Sequence, residues 1–191
     1  GLVGSEMCIR DSVTTNDYGS ADYYYVNKSS LPKVYGGFNT SLSWKGFDLS
    51  AIFAYSIGGY IYNRDITMIL HNGSLEGRDW STEILKRWTP DNRNTDVPAL
   101  STTTNNWNSA STRFLQNNSY MRLKNLTLSY NLPKQWISKL SLSSVQVYVQ
   151  GDNLFTIHRN QGLDPEQGIT GITYYRYPAM RTISGGINVS F

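Results

Sequence analysis

The sequence predicts an all-β fold: about five antiparallel strands at the C-terminal end of a transmembrane β-barrel, incomplete, joined by long extracellular loops containing short helical pieces. Three observations predict it. From Arg181 the chain alternates in chemistry and stops on an aromatic residue, with Ile183, Ile187, Val189 and Phe191 on one strand face and Thr182, Ser184, Asn188 and Ser190 on the other. Around Lys45-Gly46, two segments place their large apolar residues on a common face when folded as a hairpin. Short and long connections then alternate along the chain, as in outer-membrane barrels with short periplasmic turns and longer outer loops.

Taken in order, residues 1–12 show no strand period, do not resemble a signal peptide, and read as a non-native leader similar to a translated adapter sequence. They include Cys8, the one cysteine, so no internal disulfide staples the fold. Residues 13–32 read as an incoming loop, and 33–191 as the barrel segment.

The first hairpin runs from Lys33 to Trp44 and from Phe47 to Ile57, with Lys45-Gly46 as a two-residue loop. The expected pairs are Trp44 with Phe47, Leu42 with Leu49, Thr40 with Ala51 and Phe38 with Phe53. The other face pairs Ser43 with Asp48 and Ser41 with Ser50. A slip of one residue would turn one strand's apolar face outward, so the register is strongly specified. A third strand, Tyr120 to Leu132, puts Leu126, Leu128, Tyr130 and Leu132 on one face, but Met121 and Leu123 fall opposite. Either a bulge near Lys124 resets the alternation, or the upper strand rises above the lipid. A fourth strand spans about Ser143 to Phe155 and the fifth is the terminal one. Five strands are too few to close a membrane barrel, for which about eight is the small limit, so missing strands are expected upstream.

Composition agrees with strands that cross a membrane. The chain has 191 residues, 39% hydrophobic, with 14 Tyr, 5 Trp and 16 Gly, and a mean hydropathy of −0.40. No apolar run approaches the ~20 residues of a spanning helix, but alternating strands need none. Trp44, Phe47, Tyr130, Trp136 and Phe191 gather toward the short-turn end, as an interfacial girdle requires, and Tyr55, Tyr60, Tyr120 and Phe155 toward the other. A net charge of +3 without a basic stripe gives no case for nucleic acid.

Catalysis finds no support: there is no nucleophile elbow and no phosphate loop. His71 and His158 stand far apart, read as ordinary polar loop residues, and no metal-ligand spacing surrounds them. Asp164 and Glu166 are weighed as a cation site, but Asp164-Pro165 with Gly162 nearby reads in preference as a turn. Asp79 to Trp88 reads as a short helix capped by Asp79 and ended by Thr89-Pro90. Trp80, Trp88, Trp107, Tyr174 and Tyr175 are candidate ligand or lid contacts on the loops, weighed against simple loop packing. The terminal strand, through Ile183, Ile187, Val189 and Phe191, is a candidate for pairing with another sheet edge. The competing fold is a secreted β-sandwich carbohydrate-binding module, in which the Phe38, Leu42 and Trp44 face would be a dry core.

Several blocks in order resemble one family. They are Tyr35-Gly36-Gly37-Phe38-Asn39, Trp44-Lys45-Gly46-Phe47-Asp48-Leu49, Arg87-Trp88-Thr89-Pro90 and Asn94-Thr95-Asp96-Val97-Pro98, followed by Ser119 through Tyr130. Gly151-Asp152-Asn153-Leu154-Phe155-Thr156, Gly162-Leu163-Asp164-Pro165-Glu166 and Tyr177-Pro178 complete the set. Together they resemble the C-terminal part of SusC/RagA-type TonB-linked outer-membrane proteins (TonB-dependent receptors). The resemblance implies a plugged barrel in the outer membrane of a Gram-negative bacterium, in contact with lipid, without a cofactor or catalytic residue. It also implies import of oligosaccharides or peptides under a SusD-like surface lipoprotein, energy supplied by the TonB complex through an N-terminal part absent from this chain, and recognition of the terminal strand by the barrel-assembly machinery.

Overall fold

The computed structural model describes residues 19, 25–71, 73, 75, 77–101, 108–138, 142–160, 162, 164–166 and 170–191. The expected leader, Cys8 and most of the incoming segment lie outside the described residues, as does Trp107.

The chain divides into two compact units. The larger, Leu31–Gly59, Asn117–Gly168 and Tyr177–Phe191, is built on one five-stranded sheet. The smaller, Gly1–Ser30, Tyr60–Gln116 and Ile169–Arg176, carries a second sheet of three short strands.

In the larger unit, β1 (Val34–Trp44) and β2 (Phe47–Ile57) pair without a slip from Val34 opposite Ile57 to Trp44 opposite Phe47. This is the register read from the alternation. Lys45 and Gly46 both have positive φ, 47° and 87°, the backbone of a type I′ turn, whose twist matches that of the strands it joins. A Cβ at Gly46 would lie 3.1 Å from the Asn131 carbonyl, so glycine serves here for both its φ and its small size.

The sheet continues with β5 (Tyr120–Asn131), β6 (Ser144–His158) and β8 (Thr182–Ser190), in the order β1-β2-β5-β6-β8, every neighbour antiparallel. The strands begin or end within a few residues of their expected limits. The sheet is open, with β1 and β8 at its two edges. A four-residue helix, α2 (Lys134–Ile137), fills the short connection after Pro133.

The broken alternation in the third long strand is a bulge. Leu126 faces Ala51 while Leu123 faces Phe53, so β5 carries one residue more than β2 across that interval. Met121 and Leu123 thereby return to the face of Leu126 and Leu128. On the other side, β6 carries its own extra residue where Asn125 faces Asp152 and Leu123 faces Phe155. Asn153 lies there at φ 52°, in the left-handed region that asparagine tolerates better than most residues.

The apolar face consists of cross-strand rows. One is Trp44–Phe47–Tyr130–Val147–Ile187, and the next Leu42–Leu49–Leu128–Val149–Gly185. Rings stack within rows: Phe38 on Phe53 at 4.7 Å between centroids, and Phe47 on Tyr130 at 4.4 Å. No second layer among the described residues covers this face. Leu42 is 66% exposed, Trp44 64% and Leu128 48%, whereas the sandwich alternative requires these side chains to be dry.

In the smaller unit, β3 (Tyr60–Asn63) lies between β4 (Leu115–Asn117) and β7 (Ile172–Thr173), the β3–β7 pair being parallel. Helix α1 (Arg64–Ile69) starts at Asn63, whose Oδ1 accepts from the Ile66 N–H at 3.1 Å, an N-cap. A small core of Leu70, Ile84 and Val97, with Ile66 against it, holds the loop together. The helix expected over residues 79–88 is corrected to a five-residue 3-10 turn, Thr82–Lys86, capped by Ser81 and not by Asp79. It stops because the Trp88 N–H, which would extend it, donates to the Val97 carbonyl at 2.7 Å.

Candidate functional site

The polar face of the five-stranded sheet is a hydrogen-bonded surface. Asn131 Nδ2 donates to Asp48 at 2.7 Å, Gln146 Nε2 to Ser129 Oγ at 3.2 Å, and Asn188 Nδ2 to Gln146 Oε1 at 3.3 Å, linking β2, β5, β6 and β8 side by side. Higher up, Asn125 Nδ2 donates to Asp152 at 2.8 Å. These pairs follow from the register, because residues opposite one another on a face come within side-chain reach.

Where β5 bulges, this face carries a charged cluster. Arg122 is 3% exposed. Its Nε donates to Thr156 Oγ1 at 2.9 Å, its Nη1 to Glu166 at 2.9 Å, and its Nη2 to Asp164. Lys124 adds an ion pair to Glu166. Asp164 also accepts from the backbone N–H of Glu166 at 2.9 Å and of Ala179 at 2.6 Å. Burial pushes the Asp164 carboxyl up, but those two N–H groups and the Arg122 guanidinium outweigh it and hold the pKa below the usual carboxylate value. The two carboxylates read from sequence as part of a turn are therefore bound to protein cations. Sequence reasoning missed this because the partners are 42 residues apart or more. The only available signal was an Arg and a Lys flanking an apolar residue where alternation failed.

The loop aromatics gather into separate pairs. Tyr174 and Tyr175 lie 4.1 Å apart, with the Arg64 guanidinium 4.5 Å above the Tyr174 ring. Asp65 accepts the Tyr175 N–H at 2.9 Å and so holds that residue at φ 49°. The Tyr174 hydroxyl pKa is raised, first by its hydrogen bond to Tyr175. Trp80 Nε1 donates to His71 Nδ1 at 3.0 Å, and the two rings meet edge to face. His71, expected to be an ordinary polar loop residue, is an interior one at 1% exposure. Burial lowers its pKa, the Arg78 charge adds to the lowering and the Arg78 backbone opposes it. No group of three or more His, Cys, Asp or Glu side chains able to hold a metal ion occurs among the described residues.

The terminal strand β8 pairs with β6 and leaves its other edge open. Ile183, Ile187 and Val189 project from the apolar face, and Phe191 is 91% exposed.

One open sheet with a bare apolar face, a hydrogen-bonded polar face, short turns at one end and long connections at the other defines a piece of transmembrane β-barrel wall. Known proteins narrow the class further. The sequence is 35% identical over 166 residues to TonB-dependent receptor P3 of Formosa agariphila, covering 81% of this chain and 16% of that protein. It is 27% identical over 168 residues to TonB-dependent receptor SusC of Bacteroides thetaiotaomicron, covering 87% of this chain. Among solved structures, the RagAB peptide importer in its closed-closed state matches 94% of this chain with a TM-score of 0.81 and 35% identity. The open-open state matches 99% with a TM-score of 0.80. No protein-family model matches the sequence. The chain matches SusC/RagA-type TonB-dependent receptors as a fragment of one, spanning about a sixth to a fifth of the length of the relatives it matches. Those relatives are named as receptors and importers, not enzymes.

Proposed function

We propose that this chain forms the C-terminal part of the wall of an outer-membrane transporter in a Gram-negative bacterium. In this reading the apolar face meets lipid and the polar face lines the lumen. The transporter takes up oligosaccharides or peptides together with a SusD-like surface lipoprotein, and is driven by the TonB complex through parts outside this chain. The observation that carries the reading is the pairing of an uncovered apolar face with a polar face whose amides and carboxylates satisfy one another across the strands. Burial of the apolar face against hydrocarbon removes it from water without a second protein layer. The similarity to the RagAB peptide importer and to the SusC receptor supports transport as the activity.

Two sites follow from the reading. Trp80, Trp88, Tyr174 and Tyr175, all partly exposed on the long connections, serve as contacts for cargo or for the lipoprotein lid, and Trp107 belongs with them by sequence position. The β8 strand, with Phe191 next to it, offers its open edge to the barrel-assembly machinery by strand addition. The test is to express the full-length receptor containing this segment, fractionate the cells, and run the membrane fraction with and without heating. The expected result is an outer-membrane protein whose unheated form migrates as a compact barrel. Recovery in the soluble periplasm without a heat-modifiable band rejects the proposal.

A further inference from the structure

We infer that Arg122 straps the long connection between β6 and β8 onto the polar face of the sheet. If that face lines the lumen, as proposed above, part of this connection is a fixed inward ledge and not a freely swinging loop.

The strap is built from two sets of contacts. In the first, Arg122 spends all three of its donor nitrogens on one cluster: Nε on Thr156 of β6, and Nη1 and Nη2 on Glu166 and Asp164 of the connection. Both the guanidinium and the Asp164 carboxylate are almost wholly out of water, with side-chain exposures of 4% and 6%. Asp164 in turn gathers the backbone of both limbs, since it accepts from the Glu166 N–H on the outgoing limb and from the Ala179 N–H on the returning one. Asn153 Nδ2, on the β6 bulge, donates to the Met180 carbonyl at 3.2 Å and pins the returning limb a second time.

The second set lies at the top of β5. Asn118 Nδ2 donates to the Pro165 carbonyl at 2.8 Å, and Asn160 Nδ2 donates to Asn118 Oδ1 at 3.0 Å. Asn160 is 4% exposed and Pro165 is among the fully buried side chains. A loop that moved freely would keep its polar groups in water, because burying them without compensation is costly. Here the Pro165 carbonyl, the Asn118 amide and the Asn160 Nδ2 are tied to one another beside the start of β5.

The bulge explains why the cluster sits where it does. The extra residue in β5 between Leu123 and Asn125 lets Arg122 and Lys124 share the polar face while Leu123 rejoins the apolar one. Without it, alternation would carry Arg122 to the side of Leu126 and Leu128. The bulge thus re-aims a cation toward the strap, a common use of bulges.

The two ion pairs of the cluster differ in burial, and this gives a graded test. Lys124 and Glu166 are 33% and 37% exposed, so their pair is largely screened. The Arg122–Asp164 pair is not, and removing one partner strands a buried charge. In the full-length receptor in detergent micelles, hydrogen–deuterium exchange is followed at the amides of Glu166 and Ala179 in wild type, Arg122→Gln, Asp164→Asn and Lys124→Gln. The expected result is exchange faster by roughly 100-fold in Arg122→Gln and Asp164→Asn, and changed less than about fivefold in Lys124→Gln. Equal exchange in wild type and Arg122→Gln, in protein that still runs as a compact heat-modifiable barrel, overturns the strap and leaves the barrel reading intact. If wild type itself yields no such barrel, the reading of the sheet as a membrane wall fails and takes the inward placement of the ledge with it.

Discussion

The sharpest consequence of the two-faced sheet is a depth-dependent penalty for charge on one face. The row Trp44–Phe47–Tyr130 marks the aromatic level at the short-turn end. Leu126 lies four residues along β5 from Tyr130, roughly 14 Å of strand at about 3.4 Å per residue. With a strand tilt near 40° this becomes about 10 Å along the membrane normal, close to half of a ~25 Å apolar band. Leu126→Arg therefore places a guanidinium near the bilayer midplane, where the expected cost is about 2–4 kcal/mol, equivalent to roughly 30- to 700-fold in the folding equilibrium. Leu128→Arg, two residues nearer the aromatic level, is expected to cost less, about 1–2 kcal/mol. Ser41→Arg, exposed on the polar face of β1, is expected to change stability by no more than about 0.5 kcal/mol. The assay is reversible guanidinium unfolding of the full-length receptor in lipid vesicles, followed by tryptophan emission. Equal destabilisation by Leu126→Arg and Ser41→Arg, or a larger cost at 128 than at 126, would refute the assignment of this face to lipid.

Three further outcomes follow from local geometry. A Cβ at Gly37 would lie 2.8 Å from the Phe53 carbonyl oxygen, a backbone atom, whereas one at Gly186 would meet the tip of the Tyr148 ring; Gly37→Ala is expected to destabilise by about 1–3 kcal/mol and Gly186→Ala by less, in the same unfolding assay. Lys45→Asn, at a φ of 47° that asparagine adopts more readily, is expected to stabilise by up to about 1 kcal/mol, offset in part by loss of the Lys45 ammonium over the Trp44 ring; a fall in stability would show that the ring contact outweighs the turn. The depressed Asp164 pKa contributes stability that is fully present above the ordinary carboxylate value of about 3.9 and is lost as pH falls through the lower folded value. Exchange at the Glu166 and Ala179 amides should therefore stay slow at neutral pH and, corrected for intrinsic rates, accelerate only below about pH 4, with Asp164→Asn abolishing that step.

The long hairpin was legible because each of its two strands alternates over a full length and a two-residue turn joins them. A one-residue slip would have turned Phe53 and Leu49 to the polar side. The terminal strand was legible for the same reason. The bulge was legible only as a failure of pattern at Met121 and Leu123, and the sequence left open whether a bulge or a change of surroundings caused it. The helix expected at residues 79–88 is shorter at both ends, because Ser81 caps it in place of Asp79 and the Trp88 N–H that would extend it donates to Val97. His71 was misread because a histidine in a Gly- and Asn-rich stretch gives no local sign that a tryptophan nine residues on will close over it.

What this sequence determines by itself is which side of each strand is oily and where the chain must reverse, because both depend on period-two alternation and turn chemistry within a few residues. From those follow the strand limits, the hairpin register and the barrel class. The order β2-β5-β6-β8, the pairing of two bulges, and the closure of Asp164 and Glu166 on Arg122 were decided only by tertiary structure. Each joins segments tens of residues apart, and charges at such separations carry no mark of their partners until backbone pairing brings them within a few ångströms and excludes water.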